Sequence, residues 1–305
     1  MRFPAAVTAA LVLAALPAPA QAAGCVWTAS GLPTHPGVRD ERVTGMSPDG
    51  SITIGDAFNV DFDVLNGILW FGTTPSLMAE VLAGPGVENS PSDVNNAGIV
   101  AGYTYDENTG LTASYRYNAH DGTYEWLQAP NNNGAATDIN ERGDVVGWIN
   151  EGVVVKTVLW PAGSTQYQVI GNGTPAGLDE EGHVVTSKGE IWSPDGTVVK
   201  ITDTQGAYPR AYAGGHAVGV GTGGNIVEWD LSGTVTRTIP GAVTVEAVNA
   251  SGVIAGLHEL GDTRRWAIWS DGGVQDLEDS YVEGITDAGV AYGRQGWDAA
   301  IFRCS

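Results

Sequence analysis

Tyr103, Tyr105, Trp148, Trp266 and Trp297 are the residues of this sequence best suited to hold a ligand. Each sits among polar groups. Tyr103 and Tyr105 precede Asp106, Glu107 and Asn108, Trp148 precedes Asn150 and Glu151, Trp266 follows Asp262, Arg264 and Arg265, and Trp297 precedes Asp298. Indole and phenol rings offer flat apolar faces with a polar tip, which suits stacking on sugar rings. Neighbouring carboxylates, amides and guanidinium groups can then hydrogen-bond the hydroxyls. The expected carbohydrate-binding set is therefore Tyr103, Tyr105, Asp106, Trp148, Asp262, Arg264, Trp266 and Trp297. Packing between structural units is the competing reading of the same rings.

A second constellation is acidic. In Gly55-Asp56-Ala57-Phe58-Asn59-Val60-Asp61-Phe62-Asp63, the residues Asn59, Asp61 and Asp63 alternate and would share one face of a strand. With Asp56 they form a candidate calcium site, although an ordinary solvent-facing strand explains the same pattern. Glycan cleavage by a carboxylate pair is a further possibility, because such pairs obey no spacing rule in sequence. The loop carboxylates available for it are Asp56, Asp61, Asp106, Glu107, Glu151 and Asp262. Other catalytic signatures are missing: there is no G-x-S-x-G, H-E-x-x-H, C-x-x-C or P-loop. Gly219-Val220-Gly221-Thr222-Gly223-Gly224 fits G-x-G-x-x-G literally but lacks the strand-to-helix context of a dinucleotide site. His183 and His216 each follow a repeated glycine, and two ligands make a poor metal site. No motif requires a cofactor, and calcium is the one ion left open.

The elements that position these residues repeat. Asp93-Val94-Asn95-Asn96-Ala97-Gly98-Ile99-Val100-Ala101-Gly102 returns as Asp138-Ile139-Asn140-Glu141-Arg142-Gly143-Asp144-Val145-Val146-Gly147 and as Ala247-Val248-Asn249-Ala250-Ser251-Gly252-Val253-Ile254-Ala255-Gly256. Looser copies lie at 46–55, 178–185, 212–219 and 285–293, so the central glycines are Gly50, Gly98, Gly143, Gly182, Gly215, Gly252 and Gly289. The Asn or Asp starts a turn through its side chain, the glycine closes it, and a short apolar strand follows. Each copy then leads to an apolar-aromatic strand end: Trp70, Tyr117, Trp160, Trp192, Trp229, Trp269 and Phe302. A fourth strand follows most of these. Seven four-stranded units of roughly 40 residues predict an all-β, seven-bladed β-propeller of antiparallel blades. Blades are expected to start near 43, 91, 135, 175, 210, 245 and 282. In that architecture the off-pattern aromatics follow the second strand of their units and reach one face around the axis.

The repeats resemble the HAF-type extracellular repeat of bacterial secreted proteins, an IN-xx-G-xVVG segment followed by an AFLW-like strand. The resemblance covers about residues 40–303 and is clear in the second, third and sixth units. The fourth departs from it, with Thr186 in place of the closing glycine. It implies a propeller and carries no assigned activity or catalytic residue.

The ends of the chain complete the expectation. Residues 1–23 read as a secretory signal peptide, with Arg2, an apolar run from Ala5 to Leu16 and Ala20-Gln21-Ala22 before the cut. Lipidation at Cys25 is not expected, since Ala22 stands where leucine is usual. No later stretch is apolar enough to span a bilayer. The last unit lacks its fourth strand, and residues 25–33 form a strand with no unit of their own. Pairing the two closes the ring of domain 24–305 and brings the only cysteines, Cys25 and Cys304, together for a disulfide in an oxidising compartment. The 35 acidic against 14 basic residues, net −21, disfavour nucleic acid and anionic membranes. The expected protein is a secreted monomeric binding module for a glycan or cell-wall polymer. A glycan hydrolase or lyase and a protein-interaction scaffold are the alternatives.

Overall fold

The computed structural model describes residues 26–305 apart from 62, 79–81, 83 and 203. The expected signal peptide and Cys25 lie outside the described residues. Seven four-stranded antiparallel sheets follow one another around an axis. Blade 1 holds β2 (Val38–Met46), β3 (Ile52–Asn59), β4 (Val64–Phe71) and β5 (Thr74–Leu77). Blade 2 holds β6 (Val87–Val94), β7 (Ile99–Asp106), β8 (Leu111–Asn118) and β9 (Tyr124–Trp126). Blade 3 holds β10 (Gly134–Ile139), β11 (Val145–Glu151), β12 (Val154–Trp160) and β13 (Gln168–Asn172). Blade 4 holds β14 (Pro175–Leu178), β15 (Val184–Thr186), β16 (Glu190–Trp192) and β17 (Val198–Lys200). Blade 5 holds β18 (Ala211–Ala213), β19 (His216–Val220), β20 (Asn225–Trp229) and β21 (Val235–Pro240). Blade 6 holds β22 (Ala242–Val248), β23 (Ile254–Leu260), β24 (Thr263–Ser270) and β25 (Gly273–Leu277). Blade 7 combines β26 (Ser280–Ile285), β27 (Val290–Gln295) and β28 (Asp298–Cys304) with β1 (Trp27–Gly31) from the other end of the chain.

That shared blade closes the ring. β1 runs antiparallel to β28, with Trp27 opposite Cys304 and Gly31 opposite Ala300. The ladder continues past the named strands, where Val26 N donates to Ser305 O at 3.1 Å and Ser305 N to Val26 O at 3.2 Å. Blades 4 and 5, whose repeats are the weakest, each form four strands, although their strands are short.

The turn of each repeat is built as its residues dictate. All seven central glycines take left-handed φ, between 73° and 92°. In blade 3, Gly143 N donates to Asn140 O at 2.9 Å, and the Asn140 carboxamide oxygen accepts from Asp144 N at 3.0 Å. The closing glycine has a different reason. The inner strand carries a bulge between Ala136 and Asp138, and a Cβ on Gly147 would lie 2.1 Å from Ala135 O. Only glycine lets the second strand approach that bulge. In blade 4 the strand holds Thr186 there, fully buried and opposite Pro175.

Seven hydrophobic clusters hold the ring, each lying between two adjacent blades. The aromatic strand ends are their anchors, and each faces the preceding blade. Trp160 packs on blade 2, Trp229 on blade 4, Trp269 on blade 5, and Trp70 on Ala299 of blade 7. All seven rings are buried. Burying each contributes on the order of 2–3 kcal/mol.

Polar groups fasten the blades in the other direction. Asn95 Nδ2 donates to Asn140 O at 3.1 Å, Asn140 Nδ2 to Asp179 O at 3.3 Å, and Asn249 Nδ2 to Thr286 O at 3.0 Å. One motif asparagine therefore shapes its own turn with its oxygen and ties the next blade with its nitrogen.

Candidate functional site

The propeller presents two hollows relevant to function. One is the channel on the axis, ≈ 410 Å³, lined by the inner strands of all seven blades. The inner-strand bulges place Thr44, Ser92, Thr137, Ala176, Glu246 and Glu283 on its wall. The channel is acidic and hydrogen-bonded to itself. Asp93 accepts from Ile139 N at 3.2 Å, and Asp138 accepts from Leu178 N at 2.7 Å. Burial first, and then the neighbouring Asp138, raise the Asp93 pKa well above the ordinary range. Burial also raises Asp138, while the Asp93 side chain donates to it. Both carboxyls are thus raised, Asp93 well above the ordinary range. Glu283 is raised as well, mainly by burial, against the pull of Arg42.

The second hollow is a cleft of ≈ 370 Å³ between blades 6 and 7. Trp266, on β24, and Tyr281, on β26, meet with ring centroids 4.4 Å apart and planes tilted by 53°, and Trp266 also packs against the hydrophobic cluster between blades 6 and 7. Arg294, on β27, lies over Tyr281 at 5.5 Å and over Trp297 at 5.4 Å. Trp297, at the β27–β28 turn, is 69% exposed. Arg264 and Arg265 line the same cleft, and Arg265 pairs with Glu278 at 3.2 Å. Burial, followed by Glu283 and Glu246, pushes the Tyr281 phenol up to about 12, and its hydroxyl is engaged by the Glu283 carboxylate.

Local sequence explains this assembly. The four-residue step from Leu277 at the end of β25 to Tyr281 on β26 is short, so the blade 6 edge and the blade 7 inner strand meet closely. Period two along β24 puts Arg264 and Trp266 on one face. Arg294 is directly opposite Tyr281 across the β26–β27 ladder.

Of the expected binding set, Arg264 and Trp266 line this cleft and Trp297 joins it through Arg294. Asp262 lies exposed in the β23–β24 turn beside it. The others fall elsewhere. Tyr103 lines the axial channel. Tyr105 pairs opposite Glu88 and Thr112 in blade 2, and Trp148 opposite Ala135 and Thr157 in blade 3. Asp106 is spent on its own turn, accepting from Asn108 N at 2.9 Å and Thr109 Oγ1 at 3.0 Å. Hydrogen bonds from Asn108 and Thr109 hold its pKa below the usual range. The ring of loop aromatics expected from sequence therefore does not form: Tyr103 and Tyr105 lie within β7, Trp148 within β11 and Trp266 within β24, and only Trp297 lies in a turn after a second strand. Tyr281 and Arg294 complete the cleft, and sequence reasoning passed over both. The only signal was an aromatic opening one strand and an arginine ending the next.

The expected cation set does not share a face. β3 ends at Asn59, so Asp61 and Asp63 lie in the following turn, where Asp63 has φ 57° and Asn59 Oδ1 accepts from Asp61 N at 2.9 Å. The turn breaks the alternation that a continued strand would have kept. Asp56 is buried against Arg42, whose Nε and Nη2 reach its two oxygens at 2.8 and 2.9 Å. Among the described residues no group of three or more His, Cys, Asp or Glu is arranged to hold a metal ion. His183 and His216 each pair with a carboxylate instead, Asp179 at 2.9 Å and Glu228 at 2.8 Å.

No protein-family model matches the chain, and no curated protein sequence matches it. Solved structures do. The β-propeller domain of the Trilobed protease from Pyrococcus furiosus, described as having an open velcro topology, aligns with a TM-score of 0.57 at 9% identity, over 87% of this chain and 92% of that one. BBS1N, solved in complex with ARL6DN, aligns with a TM-score of 0.50 at 11% identity, over 92% of this chain and 97% of that one. The Pyrococcus horikoshii acylaminoacyl peptidase aligns at 0.53 and 9% identity over 87% of this chain, which spans 51% of the peptidase. These likenesses show the propeller fold alone. Against the open topology described for the first, β1 of this chain pairs along β28. Among the described residues no helix is long and apolar enough to cross a membrane.

Proposed function

We propose that this propeller is a secreted, non-catalytic binding protein whose ligand is a carbohydrate held in the cleft between blades 6 and 7. The observation that carries the reading is the Trp266–Tyr281–Arg294–Trp297 array, with rings 4.4 Å apart and an exposed indole at its rim. Aromatic rings give large contact area at small entropic cost, and a pocket with a few convergent polar groups is the usual form of a ligand site. The guanidinium groups of Arg264 and Arg294 supply hydrogen bonds to ring hydroxyls. The carboxylates suited to cleavage are dispersed: Asp56 is bound to Arg42 and Asp106 to its own turn. The reading is therefore binding rather than cleavage.

The mature protein, incubated with insoluble polysaccharides and cell-wall preparations with and without calcium, tests this. The expected outcome is depletion of protein from solution without release of soluble sugar. Sugar release would replace the reading with an enzyme. Depletion by none of the polymers would leave a protein-interaction scaffold as the better account.

A further inference from the structure

Resting on the carbohydrate reading, we propose that the cleft selects acidic sugars, binding the carboxylate of a uronic acid residue while the pyranose ring lies on the aromatic array. The charge distribution carries this. Acidic residues outnumber basic ones 35 to 14 in the whole chain. Yet the cleft gathers Arg264, Arg265 and Arg294 against two carboxylates, Glu278 and Asp279. Glu278 is already engaged by Arg265 at 3.2 Å. Arg264 and Arg294 form no ion pair among the described residues, although Glu259 stands opposite Arg264 across the β23–β24 ladder. Two guanidinium groups outside any ion pair, gathered in one cleft of a chain of net −21, favour an anion there.

The geometry chooses a planar anion on a ring. A guanidinium presents its donors as a flat fork that matches a carboxylate two bonds at a time. Arg294 lies over two aromatic faces, Tyr281 at 5.5 Å and Trp297 at 5.4 Å. Cation–π attraction to the two rings holds this guanidinium in the wall of the cleft. A sugar ring resting on the same aromatics presents its carboxylate to that guanidinium. The overall negative charge acts at long range and is screened beyond about 8 Å at physiological salt, so the local arginines govern the bound contact.

The test uses the full mature chain in calorimetric titrations against oligogalacturonate, oligoglucuronate and alginate oligomers. Each acidic ligand is matched by its methyl ester, and neutral xylo- and cello-oligosaccharides and poly-glutamate serve as further probes. At least one acidic oligosaccharide is expected to bind about tenfold or more tightly than its ester, the scale of one charge-assisted contact. Arg294→Met and Arg264→Gln should abolish that ratio while leaving residual binding of the ester. Equal affinity for acid and ester throughout would overturn the acidic-sugar inference and leave the carbohydrate reading standing. Binding of no sugar at all would remove both. Poly-glutamate binding as tightly as the best uronate would also overturn it, in favour of an acidic peptide.

Discussion

The side-chain nitrogen of Asn95 donates to the backbone oxygen of Asn140, 45 residues ahead, and Asn140 donates in the same way to Asp179 at 3.3 Å. Each asparagine is fully buried and also accepts a bond within its own turn. Replacing Asn140 by leucine therefore removes a turn contact and a blade-to-blade contact together and leaves buried backbone groups unpaired. The expected loss is about 2–4 kcal/mol, read as a fall in the denaturation midpoint at unchanged m-value. Asn140→Asp keeps the turn acceptor but sets a buried carboxylate oxygen against Asp179 O and the Asp144 carboxylate, so it should lose at least as much.

Arg116 makes a stronger seam between blades 2 and 3. Its Nη2 donates to Trp160 O and Pro161 O at 2.8 Å each, and its Nη1 to Ser164 O at 2.8 Å and Glu125 at 3.0 Å. No other side chain can satisfy that fork. Arg116→Ala is expected to destabilise by about 3–5 kcal/mol, and Arg116→Lys to recover little of it. Chemical denaturation of both variants checks the pair; full rescue by lysine would contradict the fork.

Much of this architecture was legible from sequence, and the reason is local. A hairpin is specified within ten residues, so Asn140, Gly143 and Gly147 announce the first two strands, and Trp160 announces the third. Seven copies of one local instruction then force a ring. The binding cleft is not local: Trp266 and Tyr281 belong to different blades, and Arg294 reaches them only through the β26–β27 register. Trp148 and Tyr103 looked equivalent to Trp266 in sequence, but they lie on the second strands of their blades, β11 and β7, whereas Trp266 lies on a third strand, β24. The Asn59–Asp61–Asp63 alternation misled because it ran past the end of its strand.

Stability should fall as pH rises through the range where the channel pair loses its proton. Asp93 has a raised folded pKa, so its contribution is fully present below the unfolded value near 4 and is lost as pH climbs through the folded value. Asp138, also raised, acts with it. Asp93→Asn keeps an oxygen to accept from Ile139 N and adds donors to Asp138. Thermal melts of this variant should exceed the parent by about 2–4 °C at pH 8, the scale of 1 kcal/mol for a chain of this size, and converge with it below pH 4. A variant less stable than the parent at pH 8 would contradict the shared proton.

Closure of the ring predicts a covalent lock. β1 and β28 pair with Trp27 opposite Cys304, and Cys25 lies two residues before Trp27. The oxidised mature protein is expected to weigh two hydrogens less than the reduced form. Cys25→Ser is expected to lower stability by about 2–5 kcal/mol. An intact mass matching two free thiols would refute the bridge.

The most direct test of the cleft compares three variants on whichever polysaccharide depletes the protein from solution. Trp266→Ala with Trp297→Ala removes both indoles of the array, Arg294→Met removes the guanidinium between the rings, and Trp148→Ala removes an indole in blade 3. The double variant is expected to weaken binding by about thirtyfold or more with its melting transition retained, and Trp148→Ala to bind as the parent does. Loss of binding in Trp148→Ala with full binding in the double variant would place the ligand elsewhere on the propeller and contradict the account.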